Sequence, residues 1–484
     1  MGPFAPPSSM PRRVALRTAG ARVCNQMPRG ATQGVRRGYV GRMFATTSLA
    51  ASAALVTATA LRGRRVHAVF LAMVLGVHLS VAVLVHARLV AWADAHAPWV
   101  RLATEGAFVL GAAALLAMTW AMVAAPRLRS PAWVAAVVVP GSVWSAGTFL
   151  ALPWLGLTAA VEWVHPLPAT GWVVYALAAT GIPTSLRARR EVVRLSLPGA
   201  DAPAGSDTAL VRTPATRRTV GTLPDAPVQG SLRIVQITDP HLGPWRSEAS
   251  LRALCARAVA ANPDLVLLTG DYFTMEGAGT PEALGRALSP LRALAGRVYA
   301  CHGNHDHEHP REVATGLAEA GVELLVDRAV LVTTRVGPVQ VVGLDHRWGR
   351  RRPPRALAGE APTDGPEGHA SVLASVGRPL DQQGRPVPRI VLLHDPSAMR
   401  ALPAGEADLV LSGHTHGGHL GLVSLGLDWT VIGAFAGIPD HGAWARGRDR
   451  LYVHRASGHY GFPLRLGVPI EESVLEVEHP AFLT

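Results

Sequence analysis

Several residue types that carry information in other proteins are absent or scarce in this chain of 484 residues. Lysine is absent, so all 46 basic residues are arginine, and their abundance alone says little about function. The three cysteines, Cys24, Cys255 and Cys301, are too far apart in sequence to form a disulfide framework. Charged residues make up only 17% of the chain and hydrophobic residues 49%, a balance that favours a membrane part.

Acidic residues are missing from residues 1–65, which hold 11 arginines. The rest of the chain is nearly neutral, with 35 arginines against 34 acidic residues, so we expect no nucleic-acid partner. Residues 1–42 are rich in Pro, Gly and Arg, and we predict a basic, disordered N-terminus over residues 1–65. Two alternatives stay open: Met43 as the true start, and Arg36-Arg37 with the run 43–61 as an export signal.

Four long hydrophobic segments follow, each long enough, or nearly so, to cross a hydrocarbon core of about 30 Å as a helix. Their interiors contain no Asp, Glu or Arg, and they are Val66–Ala87, Gly106–Ala125, Pro131–Leu152 and Ala169–Leu186. A soluble all-α core is the alternative, but these segments lack the polar face of a soluble helix. We therefore predict an N-terminal bundle of about four transmembrane helices over residues 66–186.

Arginines flank the predicted spans unevenly. They cluster before the first span, between the second and third, and after the fourth, at Arg62, Arg64, Arg65, Arg127, Arg129, Arg187, Arg189, Arg190 and Arg194. The positive-inside rule then places both ends of the bundle, and the domain that follows, in the cytoplasm. A fifth span at 43–61 or a cleaved export signal would change this, so a periplasmic domain stays open.

The chain beyond the predicted spans divides into two parts. Residues 187–230 contain Pro, Gly, Asp and Thr without a sustained apolar period, and we predict a linker there. A globular domain is predicted over residues 231–480. Within it, the Pro- and Gly-rich segment Pro353–Pro388 is long enough to be a functional loop at the edge of a site.

In this domain a short apolar run ends in potential metal ligands five times. The pairs are Ile234–Ile237 before Asp239 and His241, Leu265–Leu268 before Asp271, Val298–Ala300 before Asn304, Ile390–Leu393 before His394, and Leu409–Leu411 before His414 and His416. Such runs are typical of buried strands, and helical stretches at 247–261 and 281–295 separate the early ones. We predict an α/β core with its ligands on loops at the carboxyl ends of the strands.

Each ligand taken singly has a structural interpretation, such as a helix cap for Asp271 or a core histidine for His394. Seven at five successive strand ends are hard to explain by coincidence. Carboxylate, amide and imidazole donors without thiolates suit Mn, Fe or Zn. Seven ligands are too many for one open catalytic metal, and they predict two divalent ions bridged by one carboxylate.

The five blocks, in this order and spacing, resemble the calcineurin-like metallophosphoesterases. The blocks are Asp239-x-His241, Gly270-Asp271, Gly303-Asn304-His305-Asp306, His394 and Gly413-His414-Thr415-His416. Gly417-Gly418 and the stretch Tyr460–Gly467 resemble the YkuE/YaeI-like bacterial subgroup, whose members are usually membrane-attached. The resemblance covers about residues 231–478 and implies a β-sandwich flanked by helices, with metals at one edge, in a multi-pass protein of the bacterial inner membrane.

The resemblance also implies roles for individual residues. One ion would be held by Asp239, His241 and His416, and the other by Asn304, His394 and His414. Asp271 would bridge the two ions, and His305 would be the catalytic histidine beside the phosphate. A hydroxide bridging the metals would attack phosphorus, because two cations neutralise the phosphoryl oxygens and lower the pKa of bound water.

Some positions depart from the family pattern. Thr274 stands where many members carry an acid that orients the catalytic histidine, and Asp306 is a possible substitute. Pro240 replaces a usual leucine between two ligands. Ordinary loop or supporting roles are favoured over ligation for four further histidines, His302, His307, His309 and His419.

The leading hypothesis is a membrane-anchored two-metal phosphohydrolase cleaving phosphoester or pyrophosphate bonds, with a phospholipid or nucleotide-linked lipid as candidate substrate. A nuclease or phosphoprotein phosphatase of the same superfamily is the alternative within enzymes. A membrane metal-binding sensor without catalysis is the alternative outside them, and it is disfavoured because no ligand is missing.

Overall fold

The computed structural model describes residues 29–61, 65–162, 171–199, 202, 209–348, 365 and 367–482. Its first part is helical and its second part is an α/β domain. The helices of the first part are α1 (Arg29–Leu61), α2 (Arg65–Ala93), α3 (Pro98–Ala124), α4 (Pro131–Trp133), α5 (Val139–Glu162), α6 (Trp172–Ala179) and α7 (Gly181–Leu186). A π-helical turn, Val134–Val138, joins α4 and α5 into one continuous rod.

Four helices among the described residues are long and apolar enough to cross a membrane, as predicted. They are Phe44–Leu61, Leu71–Ala93, Pro98–Ala124 and Pro131–Ala160. The bundle closes where small residues meet aromatic rings: Gly111 lies directly against Trp144, and Gly147 against Tyr175. Small residues at such contacts let apolar helices approach closely in the absence of a polar face.

The set of four differs from the predicted set at both ends. Residues 29–61, predicted as part of a disordered N-terminus, form helix α1, and its second half is one of the four candidate spans. The predicted span Ala169–Leu186 is instead the short apolar stretch Trp172–Leu186, split between α6 and α7. The prediction missed α1 because weakly apolar alanine dominates the run 43–61, whereas helix formation needs only good helix formers.

The α/β domain is built on fourteen strands within the described residues. They are β1 (Ala188–Ser196), β2 (Val211–Arg212), β3 (Thr216–Thr219), β4 (Ser231–Ile237), β5 (Leu265–Thr269), β6 (Val298–Cys301), β7 (Glu323–Leu324), β8 (Arg328–Thr334), β9 (Gly337–Gly343), β10 (Arg389–Leu392), β11 (Leu409–Ser412), β12 (Gly442–Arg446), β13 (Asp449–Val453) and β14 (Ile470–Glu478). The helices are α8 (Glu248–Ala260), α9 (Met275–Ala278), α10 (Ala283–Leu288), α11 (Pro310–Glu319), α12 (Gly368–Val376) and α13 (Val431–Phe435).

The strands form two seven-stranded sheets that pack face to face. The orders are β3-β1-β14-β4-β5-β6-β7 and β2-β12-β13-β11-β10-β9-β8. One apolar cluster lies between the sheets and takes side chains from both, such as Ile234 and Leu267 from one and Leu392 and Leu411 from the other. Two further clusters pack helices on the outer faces, so the domain is a β-sandwich flanked by helices, as predicted.

The segment predicted as a linker, residues 187–230, contributes strands to both sheets. β1 pairs in parallel with β14 over nine residues, from Ala188 beside Ile470 to Ser196 beside Glu478. β3 extends the first sheet beyond β1, and β2 pairs with β12 at the edge of the second. The domain therefore begins directly after α7 and leaves no flexible tether between it and the helices. The sequence hid β1 because its charged residues Arg189, Arg190, Glu191 and Arg194 leave only the pair Val192-Val193 as an apolar run.

The parallel strands bring the predicted ligand loops to one edge of the sandwich. β4, β5 and β6 run parallel in one sheet, and β9, β10, β11 and β13 run parallel in the other. Their carboxyl ends therefore meet at the same edge. Within the predicted loop Pro353–Pro388, the described part contains α12, and residues 353–364 and 366 lie outside the described residues.

The helical bundle is fastened to the α/β domain at two places. Between α3 and α5, Leu128 donates its backbone N–H to Thr280 Oγ1 at 2.8 Å. At the end of α7, Ser185 Oγ accepts from the backbone N–H of Arg465 at 2.8 Å. The rings of Phe149 and Phe462 lie 6.1 Å apart between these contacts. The candidate membrane helices and the ligand edge of the domain are therefore joined through the stretch that follows β13.

Candidate metal centre

The structure brings all seven predicted ligands together at the edge of the sandwich. The first group consists of Asp239 and His241 after β4 and His416 after β11, and all three are buried. His416 Nε2 lies 3.2 Å from His241 Nε2 and 3.2 Å from Asp239 Oδ1. Ligands bound at about 2.0–2.2 Å to one ion are separated by roughly these distances, so the donor atoms are placed to share a cation.

The second group consists of Asp271 after β5, His394 after β10 and His414 after β11. His394 Nε2 lies 3.2 Å from Asp271 Oδ2 and 3.3 Å from His414 Nδ1. Asn304, after β6, joins this group through its side-chain oxygen, which lies 2.9 Å from His414 Nδ1. The second group therefore offers a carboxylate, an amide oxygen and two imidazoles, a set that borderline divalent ions accept.

The backbone adopts an unusual conformation at five of the seven ligands. Asp239, His241, Asp271, His414 and His416 all have φ between 43° and 68°. Residues with a side chain rarely adopt positive φ, and such strain is held only where the surrounding structure fixes it. The surroundings here do so through backbone bonds between loops, such as Asp239 N–H to Gly270 O at 2.9 Å.

Glycines next to the ligands allow the loops to approach one another. A Cβ at Gly413 would lie 2.0 Å from Asp239 Oδ2, and a Cβ at Gly303 would lie 2.2 Å from Asp271 Oδ1. These positions explain the Gly-Asp, Gly-Asn and Gly-His pairs of the sequence by close contact. Only a residue without a side chain lets a carboxylate from one strand lie against the backbone of the next.

Hydrogen bonds outside the donor atoms orient the imidazoles. His241 Nδ1 lies 3.2 Å from the carbonyl of Phe273, and His394 Nδ1 lies 2.6 Å from the carbonyl of Thr269. A carbonyl only accepts, so each Nδ1 donates, and each Nε2 keeps its lone pair for an ion. Arg465, which is fully buried, donates to the backbone oxygen of His416 at 3.1 Å and holds that loop from outside.

The buried carboxylates of the site favour a positive charge next to them. Burial alone would raise the pKa of Asp271, but the neighbouring imidazoles of His394 and His305 hold that pKa well below its usual value. Burial opposes charge on His394 as well, yet Asp271 and Asp239 raise its pKa to about 10. Two buried carboxylates therefore draw a proton onto an imidazole, and a divalent cation would replace that proton. The donor set and its burial fit a bound metal.

His305, the predicted catalytic histidine, lies at the open side of the same edge. Its backbone N–H donates to Asp271 Oδ1 at 2.9 Å, so it is attached to the centre of the cluster. Its Nδ1 lies 2.7 Å from Glu308 Oε1, an acid that sequence reasoning missed. Burial alone would lower the pKa of His305, but Asp271 and the bond to Glu308 raise it to about 9.

Asp306, proposed from the sequence as the group that orients His305, does something else. Its carboxylate accepts from the backbone N–H groups of Asp271, Tyr272 and Gly303 at 2.7–2.9 Å, so it braces two ligand loops. Thr274 caps α9 through the N–H of Gly277. The orienting acid is therefore Glu308, three residues after the histidine within one short turn, a spacing that could have indicated it.

Removal of Glu308 should lower turnover without loss of metal. In Glu308→Ala, the His305 ring loses the carboxylate that accepts from its Nδ1, and we expect kcat to fall by about 10- to 100-fold while KM and bound metal stay unchanged. Glu308→Gln should restore part of kcat, because an amide oxygen can still accept from Nδ1. Glu312→Ala, an exposed acid on α11, is the matched control. A higher KM or a lower metal content in Glu308→Ala would mean instead that Glu308 supports the fold.

A third buried group of potential ligands adjoins the second. Sequence reasoning named two of its histidines but did not predict that they form a group. Asp345 Oδ1 lies 2.9 Å from His302 Nδ1 and 3.2 Å from His307 Nε2. Burial alone would lower the pKa of His302, but the bond to Asp345 raises it. Asp345 and His346 follow β9, a sixth strand end with the same signal of an apolar run before an acid and a histidine. The three donor atoms lie within 4.8 Å of one another, close enough to share a cation, so the supporting role favoured from sequence for His302 and His307 stays a prediction.

Tyr460 covers the first group from the side of the membrane helices. Its ring stacks on His241 at 4.7 Å between centroids and contacts His305 edge-on at 5.1 Å. Phe462, two residues after Tyr460, contacts Phe149 of α5. His419 lies beside His416 at 4.9 Å between ring centroids, and His309 belongs to no donor group among the described residues.

A helix-flanked β-sandwich with buried carboxylate, amide and imidazole donors at one edge defines a domain suited to hold metal ions there. Residues 232–418 match the family model described as calcineurin-like phosphoesterase. The domain belongs to that family of phosphoester hydrolases, as the five sequence blocks predicted. Relatives of this chain match over a longer stretch than these residues.

The chain is 29% identical over 255 residues to "Phosphodiesterase YaeI" of Escherichia coli, covering 51% of this chain and 82% of that protein. It is 28% identical over 251 residues to "Transmembrane protein with metallophosphoesterase domain" of Bos taurus, covering 50% and 52%. A shorter match, 40% over 76 residues, is to "UDP-2,3-diacylglucosamine pyrophosphatase LpxG" of Chlamydia trachomatis, covering 16% and 23%. Three further bacterial relatives are matched over only 59–60% of their length.

Proposed function

We propose that this chain is a membrane-anchored phosphohydrolase that cleaves phosphoester or pyrophosphate bonds with two divalent ions. The observation that carries this proposal is the position of Asp271 between the two donor groups. Its Oδ2 lies 3.2 Å from His394 Nε2 in the second group and 3.6 Å from His241 Nε2 in the first. A carboxylate within reach of both groups is the ligand that two ions about 3.5–4 Å apart would share.

In this proposal Asp239, His241 and His416 hold one ion, and Asn304, His394 and His414 hold the other. Mn, Fe or Zn suits the mixture of oxygen and imidazole donors. When bound, two such ions would neutralise the phosphoryl oxygens and supply hydroxide from water near neutral pH. Two of the four imidazoles, His241 and His394, are oriented for this role by backbone carbonyls that accept from their Nδ1.

His305 serves as the catalytic histidine of this proposal. It lies beside Asp271 without belonging to either donor group, and Glu308 holds its Nδ1. Its Nε2 is thereby left to donate a proton. With a raised pKa the imidazole stays protonated near neutral pH, so it can stabilise charge on the phosphoryl group or protonate the leaving oxygen.

Metal content tests the assignment of ligands. We expect the full chain, purified with Mn or Zn, to bind about two ions, and His414→Ala and His416→Ala each to bind about one. His309→Ala is the matched control and should keep both ions. A single ion in the unaltered protein, or equal loss of both ions from every variant including the control, would contradict two separately held metals.

A lipid-linked substrate is part of the proposal, and two observations support it. The stretch Tyr460–Phe462 connects the metal centre directly to α5 of the apolar bundle. LpxG, which matches this chain over a shorter stretch, is named for a diacylated nucleotide sugar, as a UDP-2,3-diacylglucosamine pyrophosphatase. Phospholipids and nucleotide-linked lipids are therefore the substrates to test first.

A substrate screen tests this point. The full chain in lipid nanodiscs should hydrolyse a nucleotide-linked lipid or a phospholipid with a higher kcat/KM than bis-p-nitrophenyl phosphate. RNA, DNA and a phosphopeptide test the nuclease and phosphoprotein phosphatase alternatives in the same assay. Preference for one of these over every lipid would contradict the lipid-linked substrate while leaving the two-metal centre intact.

We also propose that the α/β domain lies in the cytoplasm of a bacterium, below the inner membrane. Leu128 and Ser185 both contact this domain, so the connection after α3 and the end of α7 lie on one side of the bilayer. In this proposal the apolar stretch Trp172–Leu186 returns across the membrane to the domain side. Arg127, Arg129 and the arginines from 187 to 194 fall on the domain side, which the positive-inside rule makes cytoplasmic.

Reporter fusions at the C-terminus test the side of the membrane. A cytoplasmic domain predicts fluorescence from green fluorescent protein and no activity from alkaline phosphatase. If α1 also crosses the membrane, the arginine-rich residues 1–42 lie on the side opposite to the domain. They then count against a cytoplasmic domain. Alkaline phosphatase activity at the C-terminus would therefore place the domain in the periplasm.

A further inference from the structure

A loop next to the metal centre exposes large apolar side chains to solvent. This apolar loop comprises residues 420–437 and begins four residues after His416. Its side chains exposed by 39–83% are Leu422, Leu425, Leu427, Trp429 and Phe435. Asp428 is its one charged residue. Single exposed apolar residues are ordinary, but five in eighteen residues form a patch that marks an interaction surface.

Backbone bonds hold the apolar loop in this exposed position. Leu422 N–H donates to Trp429 O, and Val431 N–H donates to Leu420 O, both at 2.9 Å, which closes a hairpin-like turn. Thr430 caps the short helix α13. Since the backbone is fixed, the apolar side chains cannot turn inward to bury themselves, and an outside surface must cover them.

The apolar loop is fastened to the end of the helical bundle. Ser424 N–H donates to Gly467 O at 2.8 Å, and Leu466 lies directly against Gly181 at the start of α7. Arg189, which follows α7, donates to Val423 O at 3.1 Å. The loop therefore lies beside the place where the apolar stretch Trp172–Leu186 enters the domain, and Leu186 at that place is itself exposed.

We propose that the apolar loop inserts into the bilayer interface beside the metal centre, so that the site faces the membrane surface. The occupant is lipid, because the patch adjoins the apolar stretch Trp172–Leu186, on which Val173, Leu177 and Leu186 are exposed as well. Its composition agrees with this occupant: leucine and phenylalanine enter the acyl boundary, and tryptophan prefers the headgroup level. Arg187, exposed at the end of α7, is placed to meet anionic headgroups.

Insertion brings headgroups to the ligand edge of the domain. His416 lies at one end of the apolar loop, and Leu466 and Arg465 connect the loop to the stretch that carries Tyr460. A phosphate in a headgroup next to the loop would approach the donor groups without leaving the bilayer. The inference that the loop inserts rests on the apolar helices and the loop, and it holds whether or not the metal centre hydrolyses lipids.

Fluorescent labels on the loop test insertion. Cys24 is replaced by Ser, Cys255 and Cys301 are buried, and single cysteines are placed by Leu425→Cys, Phe435→Cys and Leu331→Cys. Leu331 is the matched control, since it is 59% exposed but lies on β8 at the opposite edge of its sheet. The full chain is labelled with a nitrobenzoxadiazole dye and placed in phosphatidylcholine vesicles. The vesicles contain about 30 mol% phosphatidylglycerol, enough to give the surface a negative potential.

We expect blue-shifted emission and strong quenching by lipids carrying a doxyl group near the headgroup at positions 425 and 435, and neither at 331. Equal quenching at all three positions, or none at 425 and 435, would overturn the proposal. A blue shift without lipid quenching would mean that a protein or a second copy of the chain covers the loop, and it would overturn the proposal as well.

An activity measurement separates this inference from the proposed function. Leu425→Ser with Phe435→Ser should lower turnover of a phosphodiester held in vesicles by about tenfold or more, since two apolar side chains no longer enter the bilayer. Turnover of soluble bis-p-nitrophenyl phosphate should be unchanged. If the double variant turns over the vesicle substrate as fast as the unaltered protein does, the loop has no role in access. If the unaltered protein hydrolyses neither substrate, the proposed function is contradicted instead.

Discussion

Asp271→Asn is expected to reduce hydrolysis of bis-p-nitrophenyl phosphate by at least about 100-fold, because it removes the one charge that both donor groups share. The Asp271 carboxylate lies within 3.6 Å of an imidazole nitrogen in each group. An amide has a similar shape, but it is neutral and presents an NH2 group that no metal accepts. Metal content should fall with activity, since two cations would be left side by side without a shared counter-charge.

Asp408→Asn is the matched control for this change. Asp408 is also buried and also adjoins β11, but it precedes the strand, at the end opposite to the ligands, where it accepts from the backbone N–H of Arg389 at 2.7 Å. The folded control should keep its specific activity and its metal. Activity that survives Asp271→Asn at the level of the unaltered protein would contradict a bridging carboxylate.

Gly413→Ala should be nearly as damaging, although it adds a single methyl group. That group would lie 2.0 Å from Asp239 Oδ2 and 2.2 Å from Thr238 Oγ1, well inside van der Waals contact. Asp239 must then move, and it also accepts from the backbone N–H of His414 at 3.1 Å, so ligands of both groups shift together. A shift of about 1 Å in such a site can cost on the order of 100-fold in rate.

The measurements for Gly413→Ala are kcat/KM, metal content and thermal unfolding. We expect overpacking to lower the free energy of unfolding by roughly 1–3 kcal/mol. Gly221→Ala is the control, since a Cβ there meets nothing within 4 Å and its backbone needs no positive φ. Normal activity in Gly413→Ala would show that the loops after β4 and β11 can separate without cost, contrary to the tight contact described above.

The sequence predicted much of the domain because the ligand loops obey a local rule. Apolar runs such as Leu265–Leu268 and Leu409–Leu411 are continuous, which is typical of parallel strands buried on both faces. Each is followed within three residues by a potential ligand, Asp271 or His414, that a buried strand end would otherwise have no reason to place there. The five repeats made the site visible, and the structure brings these seven side chains together.

Features that depend on pairing between distant segments were not predictable in this way. β1 is a strand because β14 lies beside it, nearly three hundred residues later, and its own arginines and valines gave no clear pattern. Glu308 was missed because a charged residue in a loop is usually solvated, and its bond to His305 follows from a turn that only coordinates reveal. Asp345 was missed because one acid after one strand is a weak signal by itself.

By itself the sequence determined the chemistry of the donors, their order along the chain, and the presence of apolar helices before an α/β domain. Those properties are local, since strand length, side-chain type and hydropathy are fixed by neighbouring residues. Only the tertiary structure decided the distances that put Asp271, the bridging residue implied by the resemblance, within reach of both donor groups, and that the apolar loop lies beside the end of α7. These relations come from the packing of two sheets and from the contact of Arg465 with α7, which no short stretch of sequence contains.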